Sequence, residues 1–122
     1  MRRSRILVAD DEEMIRTIIR LVLEDTYDIV EAADGEEAWQ KFTNASPTLD
    51  LVVMDLTMPR LDGQTLLQQM LARYPNTPII LLTGRLDYAQ KPHPLVRVIT
   101  KPFDNAALAK TVAHLLASSS RS

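Results

Sequence analysis

Five short apolar runs recur along the chain, and turns and stretches of helical periodicity separate them. The runs are Ile6-Leu7-Val8-Ala9, Tyr27-Asp28-Ile29-Val30-Glu31-Ala32, Leu51-Val52-Val53-Met54, Ile79-Ile80-Leu81-Leu82 and Val96-Arg97-Val98-Ile99-Thr100. A run this short and this rich in Leu, Ile and Val suits a strand buried on both faces, as in a parallel sheet covered by helices. After the first run, Ile15, Ile18, Ile19 and Val22 recur at i, i+3, i+4 and i+7, which is one face of a helix. Alternation on this scale predicts an α/β chain. Its core is a single doubly wound, five-stranded parallel sheet with helices on both faces and right-handed crossovers. The second run is weaker and alternates, so it belongs at a sheet edge.

The remaining helices announce their ends. Asp34 is placed to cap a helix, with Glu37 three residues later as in a capping box. Ala38 and Phe42 then face the sheet and Trp39 is half buried. Asp62-Gly63 opens the next helix, with Leu66, Leu67, Met70, Leu71 and Tyr74 as its apolar stripe and Pro75 to Pro78 as its stop. The stretch Arg85 to Lys91 has room for only a turn or two of a fourth helix before Pro92 and Pro94 end it. Asp104 caps the last helix, whose apolar face is Leu108, Val112, Leu115 and Leu116. The domain is expected to span 1–117, leaving 118–122 as a disordered tail or the start of a linker.

The residues that follow the runs carry the chemistry. The first run ends in Asp10-Asp11, the third in Asp55, the fourth in Thr83-Gly84 and the fifth in Lys101. In an open parallel sheet these ends lie along one edge, where ligands bind. Three carboxylates, a hydroxyl and an amine therefore converge on one cleft. Carboxylates so placed repel one another unless a cation lies between them. No His or Cys is at hand, so the all-oxygen set suits a hard cation, and Mg²⁺ takes one or two carboxylates, waters and a phosphate oxygen. Lys101 is a point charge suited to a phosphoryl group, Thr83 donates one hydrogen bond, and Gly84 leaves room and offers an N–H. Asp55 is then the candidate nucleophile, since carboxylates form aspartyl-phosphates. Each residue alone has a plainer use. Asp10, Asp11 and Asp55 cap helices or turns, Thr83 is a turn hydroxyl, and Lys101 is a solvated charge. Together, the plainer uses require four strand ends to coincide by accident.

The totals exclude several classes. A chain of 122 residues makes one domain with a real core. The formal net charge of -2 supplies no basic field for direct binding of nucleic acid or of an anionic membrane. With no cysteine there is neither a disulfide nor a thiolate metal site. No apolar run approaches a membrane span, and the start Met1-Arg2-Arg3-Ser4-Arg5 runs into Ile6 to Ala9 too soon for a signal peptide. A cytoplasmic location is the default expectation. His93 and His114 have no clustered partners and are expected in solvent, as are Arg2, Arg3 and Arg5. The alanine-rich last helix leaves a homodimer contact open.

Four segments together resemble a response-regulator receiver domain of the CheY-like kind. They are Ile6-Leu7-Val8-Ala9-Asp10-Asp11-Glu12, Asp55-Leu56-Thr57-Met58-Pro59-Arg60-Leu61-Asp62-Gly63, Leu82-Thr83-Gly84 and Thr100-Lys101-Pro102-Phe103, within a match from about Arg5 to Leu116. The resemblance implies the flavodoxin-like strand order 2-1-3-4-5. It implies that Asp55 takes a phosphoryl group from a phosphohistidine on a sensor histidine kinase or His-phosphotransfer protein. It implies Mg²⁺ held by Asp10, Asp11, Asp55 and the backbone carbonyl of Thr57. Thr83 and Lys101 would contact the phosphoryl oxygens, and Lys101-Pro102 would be a cis peptide. The output would pass to an unknown domain or protein. Such a module is a signalling phosphoacceptor and not a turnover enzyme, limited to self-phosphorylation and autodephosphorylation, which the neighbouring Thr57 and Arg85 would affect.

Two departures from the family pattern stand out. Three residues before the lysine the family usually has a switching Tyr or Phe, and here that position is Val98. Thr83 and Lys101 are 18 positions apart, which shortens the fourth helix by about one turn of roughly 3.6 residues. The expectation is retained phosphorylation with a different output, carried by a dynamic Arg85–Leu95 loop or by Tyr88 in place of the missing ring. Two other readings stay open. One is a phosphate-independent interaction module, which Val98 and the short segment favour. The other is an aspartyl-phosphate hydrolase of the haloacid-dehalogenase type, which Asp55-Leu56-Thr57 loosely resembles and which the absence of a cap domain opposes.

Overall fold

The computed structural model describes residues 3–44, 49–60, 62–85, 88–89 and 91–119, without the side chain of Ser119. The elements in order are β1 (Arg5–Ala9), α1 (Glu13–Leu23), β2 (Asp28–Ala32), α2 (Gly35–Asn44), β3 (Leu51–Asp55), α3 (Gly63–Arg73), β4 (Ile79–Thr83), β5 (Val96–Thr100) and α4 (Asn105–Ser119). The five strands form one parallel sheet in the order β2-β1-β3-β4-β5, the order expected.

Burial follows position in that order. Every residue of the central strands β3 and β4 is buried, whereas the edge strands β2 and β5 are mostly half buried or exposed. Alternate side chains of each strand enter opposite layers. Leu7, Val52, Met54, Ile79 and Leu81 pack with Phe42, Leu66, Leu67 and Met70 of α2 and α3. Ile6, Val8, Val53, Ile80 and Leu82 pack with Ile19 and Leu23 of α1 and Leu108, Val112 and Leu115 of α4. Leu23, absent from the expected apolar face of α1, is among its most buried residues.

The caps explain where helices start. Asp34 Oδ1 accepts from the Glu37 N–H at 2.8 Å. Glu37 Oε1 accepts from the Ala33 N–H at 2.6 Å, one residue before the cap, so the capping box is shifted by one residue. Asp62 Oδ2 accepts from the Thr65 N–H and Asp104 Oδ1 from the Ala106 N–H. At the other end of α1, Arg3 donates to the carbonyls of the C-cap Glu24 and of Thr26 and Tyr27 in the turn that follows. Arg3 is therefore tied to the fold and not only solvated, while Arg2 lies outside the described residues.

α4 runs on through Ser118 to Ser119, since helix once formed propagates at one bond per residue and serine opposes it only weakly. The crossover from β4 to β5 contains no helix among the described residues, so the last expected helix is the fourth observed. In the expected turn the Tyr88 N–H donates to the Arg85 carbonyl at 3.4 Å. Pro92 and Pro94 lack the donors a helix would need there. Leu86, Asp87 and Gln90, part of the same expectation, lie outside the described residues. On that face of β5 Val96 is buried in the cluster that Tyr88 packs against, whereas Val98 is 39% exposed. Among the described residues no helix is long and apolar enough to cross a membrane.

Gly63 is demanded by packing. A Cβ there would lie 2.3 Å from the Leu56 carbonyl oxygen and 2.6 Å from the Leu56 Cα. The first turn of α3 therefore presses on the backbone just after Asp55. Gly63→Ala is expected to destabilise the protein by about 1–3 kcal/mol, as overpacking does. Urea denaturation would show it as a lower midpoint at unchanged slope.

Candidate functional site

The parallel register brings the strand ends together. Asp55 pairs with Leu82 at the ends of β3 and β4, and Thr83 pairs with Thr100, directly before Lys101. Asp10 follows β1 at once. It is 0% exposed, and Asp55 is 6% exposed. The Lys101 ammonium lies between them, 2.9 Å from Asp10 Oδ2 and 3.0 Å from Asp55 Oδ2. It also sits 3.7 Å from the exposed Glu12 carboxylate. Asp10, Asp11 and Asp55 each offer an oxygen within 4.8 Å of the others, with Asp11 on the solvent side.

The turns hold these groups. Asp10 Oδ1 accepts from the Glu12 N–H at 2.9 Å and Asp55 Oδ1 from the Thr57 N–H at 3.1 Å, so each acid also closes its own turn. Thr83 is 3% exposed and its Oγ1 accepts from the Arg85 N–H at 3.0 Å, which makes it a turn hydroxyl as well. Its own proton is still available for donation. The Lys101 N–H donates to the Thr83 carbonyl at 2.7 Å, holding the ends of β4 and β5 together. Lys101-Pro102 is a cis peptide. Gly84 is exposed, and a Cβ there would meet nothing within 4 Å, so packing does not require glycine at that position.

Electrostatics in the cleft are a contest between burial and pairing. Burial pushes the Asp10 carboxyl above the ordinary carboxylate range, and Asp55 adds to this, while the Glu12 amide and Lys101 oppose it. Burial alone would lower Lys101, but the hydrogen bonds it donates to Asp10 and Asp55, with their charges, outweigh it and raise the ammonium above its usual value. The donor set is all oxygen and more negative than one ammonium can balance. Those residues fit a hard divalent cation.

Other expected residues sit apart from this cluster. Val98 points out from β5. Tyr88 is half buried against the α2–α3 layer, and its hydroxyl donates to Gln64 Oε1 at 2.8 Å. His114 is exposed. His93 is only partly so, with Nδ1 accepting from the Leu95 N–H at 3.1 Å, so it shapes the turn before β5 instead of standing in solvent. Sequence reasoning missed Arg16, whose Nη1 donates to the Asp10 carbonyl at 2.7 Å. Its position off the apolar face of α1 was visible, but the residue it reaches was not.

The family description "response regulator receiver domain" matches residues 6–113. The chain belongs to the response-regulator receiver family. It is 44% identical over 92 residues to a probable transcriptional regulator, ycf27, of Porphyridium aerugineum, covering 75% of this chain and 37% of the relative. It is 30% identical over 118 residues to the chemotaxis protein CheY of Treponema pallidum, covering 92% of this chain and 82% of that one. The chain thus spans little more than a third of the ycf27 relative's length. Among solved structures, the signal receiver domain of an HD domain-containing protein from Pseudomonas fluorescens superposes with a TM-score of 0.89 at 30% identity, covering 99% of this chain and 100% of that one. Receivers are phosphoacceptor modules of two-component signalling and generally bind Mg²⁺ at an acidic pocket. In this chain the carboxylates of Asp10, Asp11 and Asp55 form an acidic cluster at the open edge of the sheet.

The raised Asp10 carboxyl gives a signed prediction. A group whose folded-state pKa is raised adds stability below its unfolded value and loses it as pH rises through the folded value. Ionised Asp10 therefore costs stability at neutral pH, and Asp10→Asn removes that cost. Without divalent metal, Asp10→Asn is expected to raise the melting temperature at pH 7 and to change it much less near pH 4. A melting temperature lowered at pH 7 would contradict the assigned direction.

Proposed function

We propose that Asp55 is the phosphoacceptor of this receiver and that Asp10, Asp11 and Lys101 are the groups that make its phosphorylation feasible. The observation that carries this is the Lys101 ammonium placed 2.9 Å from Asp10 and 3.0 Å from Asp55 at the open edge of the sheet. One Asp55 carboxylate oxygen attacks the phosphorus of a phosphohistidine. The O–P bond forms as the N–P bond breaks, and the electron pair leaves with the imidazole, which takes a proton from solvent. Lys101 stays beside Asp55 and balances charge on the incoming phosphoryl oxygens. Thr83, freed to donate its hydroxyl proton, and the Gly84 N–H hold those oxygens. The Thr57 N–H keeps Asp55 in its rotamer through Oδ1.

Mg²⁺, when bound by Asp10, Asp11, Asp55 and the Thr57 carbonyl, would neutralise charge on the transferring group. The all-oxygen donor set and its excess negative charge support that assignment.

The donor is a sensor histidine kinase or a His-phosphotransfer protein. It reaches Asp55 across α1 and the turn after β5. There Met14 is 73% exposed, and Ile15, Ile18, Pro102 and Phe103 line a hollow of about 130 Å³ beside Lys101. The receiver acts as a signalling acceptor and not as a turnover enzyme, and its output passes to another domain or protein. The exposed Val98 supports an output that does not use a ring at that position.

Incubation with Mg²⁺ and a small phosphodonor is expected to add one phosphoryl group by intact mass, and Asp55→Asn is expected to add none. Mg²⁺-independent labelling, or equal labelling of the variant, would defeat the assignment. Gly84→Ala separates fold from chemistry. In open space it should leave stability unchanged or raise it by about 0.4–1 kcal/mol, as Gly→Ala does where the backbone permits it. A slower phosphorylation rate at that unimpaired stability would mark Gly84 as part of the phosphoryl site.

A further inference from the structure

A partly buried network outside the acidic cluster reaches into it through the backbone. Each polar atom of Asp10 has a protein partner. The N–H donates to the Ala32 carbonyl at 3.1 Å, and the main-chain carbonyl accepts from Arg16 Nη1 at 2.7 Å. The two carboxylate oxygens take the Glu12 N–H and the Lys101 ammonium. The Asp10 carbonyl belongs to the peptide that joins Asp10 to Asp11. That peptide is planar, so fixing its oxygen fixes the direction in which the chain delivers Asp11. Asp11 itself has no hydrogen bond or ion pair among the described residues, and its place near Asp10 and Asp55 depends on the backbone that carries it.

Arg16 is itself aimed. Its side chain is 16% exposed, and Nε donates to Glu31 Oε1 at 3.2 Å. Glu31 lies on the edge strand opposite Val8. Its second oxygen is 3.7 Å from Arg20 Nε, and its carbonyl accepts from Lys41 Nζ at 2.5 Å. A guanidinium can serve a carbonyl and a carboxylate at once from one rigid plane, which an ammonium on a flexible stem cannot do as well.

We propose that Arg16 is a positioning residue for the acidic pocket: by holding the Asp10–Asp11 peptide, and being held by Glu31, it sets the cation affinity of the site. The inference rests on the reading of Asp10, Asp11 and Asp55 as the Mg²⁺ ligands. The plainer alternative is that Arg16 only staples α1 to β2. The two differ in what its loss does. A lost staple lowers stability and leaves the pocket alone. A lost positioning group leaves a buried carbonyl unpaired beside the ligands and lets the turn at 10–12 relax.

The test compares the parent with Arg16→Met, Arg16→Lys and Glu31→Gln, measuring Mg²⁺ binding by titration calorimetry and melting temperature in parallel. Arg16→Met is expected to weaken Mg²⁺ binding about tenfold, the scale of loss when a group orienting a metal ligand is removed. Arg16→Lys should recover part of the loss, and Glu31→Gln should show a smaller loss. An Arg16→Met variant that binds Mg²⁺ like the parent, whatever its melting temperature, overturns the proposal. A metal-free readout keeps the two layers apart. Hydrogen exchange of the Glu12 amide, which bonds Asp10 Oδ1, should quicken in Arg16→Met while that of Val53 in the central strand does not. Unchanged protection of Glu12 overturns the proposal even with the cation reading intact. A parent that binds no Mg²⁺ overturns the cation reading and this inference with it.

Discussion

Lys101 lies 91 residues from Asp10 and 46 from Asp55 in sequence, yet its ammonium bridges both carboxylates. Two carboxylates this close and this buried repel strongly, because the interior screens charge far less than water does. One cation between them makes the arrangement tenable. It also restrains the edge strand β5, whose own burial is slight, by fastening its C-terminal end to the ends of β1 and β3. The remaining charge is functionally apt. Asp10, Asp11, Asp55 and Lys101 together leave two negative charges, which a divalent cation would balance, and a phosphoryl group arriving afterwards meets a neutralised cleft.

The sheet order makes this geometry possible. β1 and β3 are neighbours at its centre, so Asp10 and Asp55 emerge side by side. β4 and β5 follow on one flank, so Thr83 and Lys101 close over the same edge. The opposite flank ends at β2, whose contribution is Glu31. That residue orients Arg16 behind the pocket without entering it. The departure from symmetry lies in the crossover to β5, which carries no helix among the described residues. The α2–α3 layer therefore thins toward β5, Val98 stands exposed, and Tyr88 reaches α3 from the crossover instead. A surface used for output on this flank has a different shape from one built on a covering helix.

The inner strands β1, β3 and β4 were legible because buried parallel strands are apolar almost without interruption, and the edge strand β2 because its weaker run alternates. Helix starts were legible because Asp34, Asp62 and Asp104 are caps whose partners lie two or three residues away. The strand-end set was legible because topology alone sends those residues to one edge. Long-range polar contacts left no local trace. Arg3 read as a solvated terminus because the carbonyls it satisfies belong to the turn after α1, more than twenty residues away. Arg16 drew no notice as a site residue because its targets, Asp10 and Glu31, are set by the turn and by the edge strand. The glycines show the same limit. Gly84 was singled out for the room it leaves, yet only open space surrounds it, whereas Gly63 is the one pressed against backbone.

The pocket is built against the stability of its own fold. Asp10 is fully buried, and ionised Asp10 costs stability at neutral pH, but it is satisfied at every polar atom. A chain selected only for stability would place a neutral residue there. Keeping the acid buried keeps its charge unscreened, and that raises its attraction for a cation by the same physics that makes it costly without one. The surrounding bonds from Glu12, Ala32 and Arg16 do not remove the cost. They hold the carboxylate where it is spent on ligand binding instead of relaxing toward water. A cation held by Asp10 would thus couple folding stability to its own affinity through one residue, and the energy released on its binding would include what folding gave up to bury that charge.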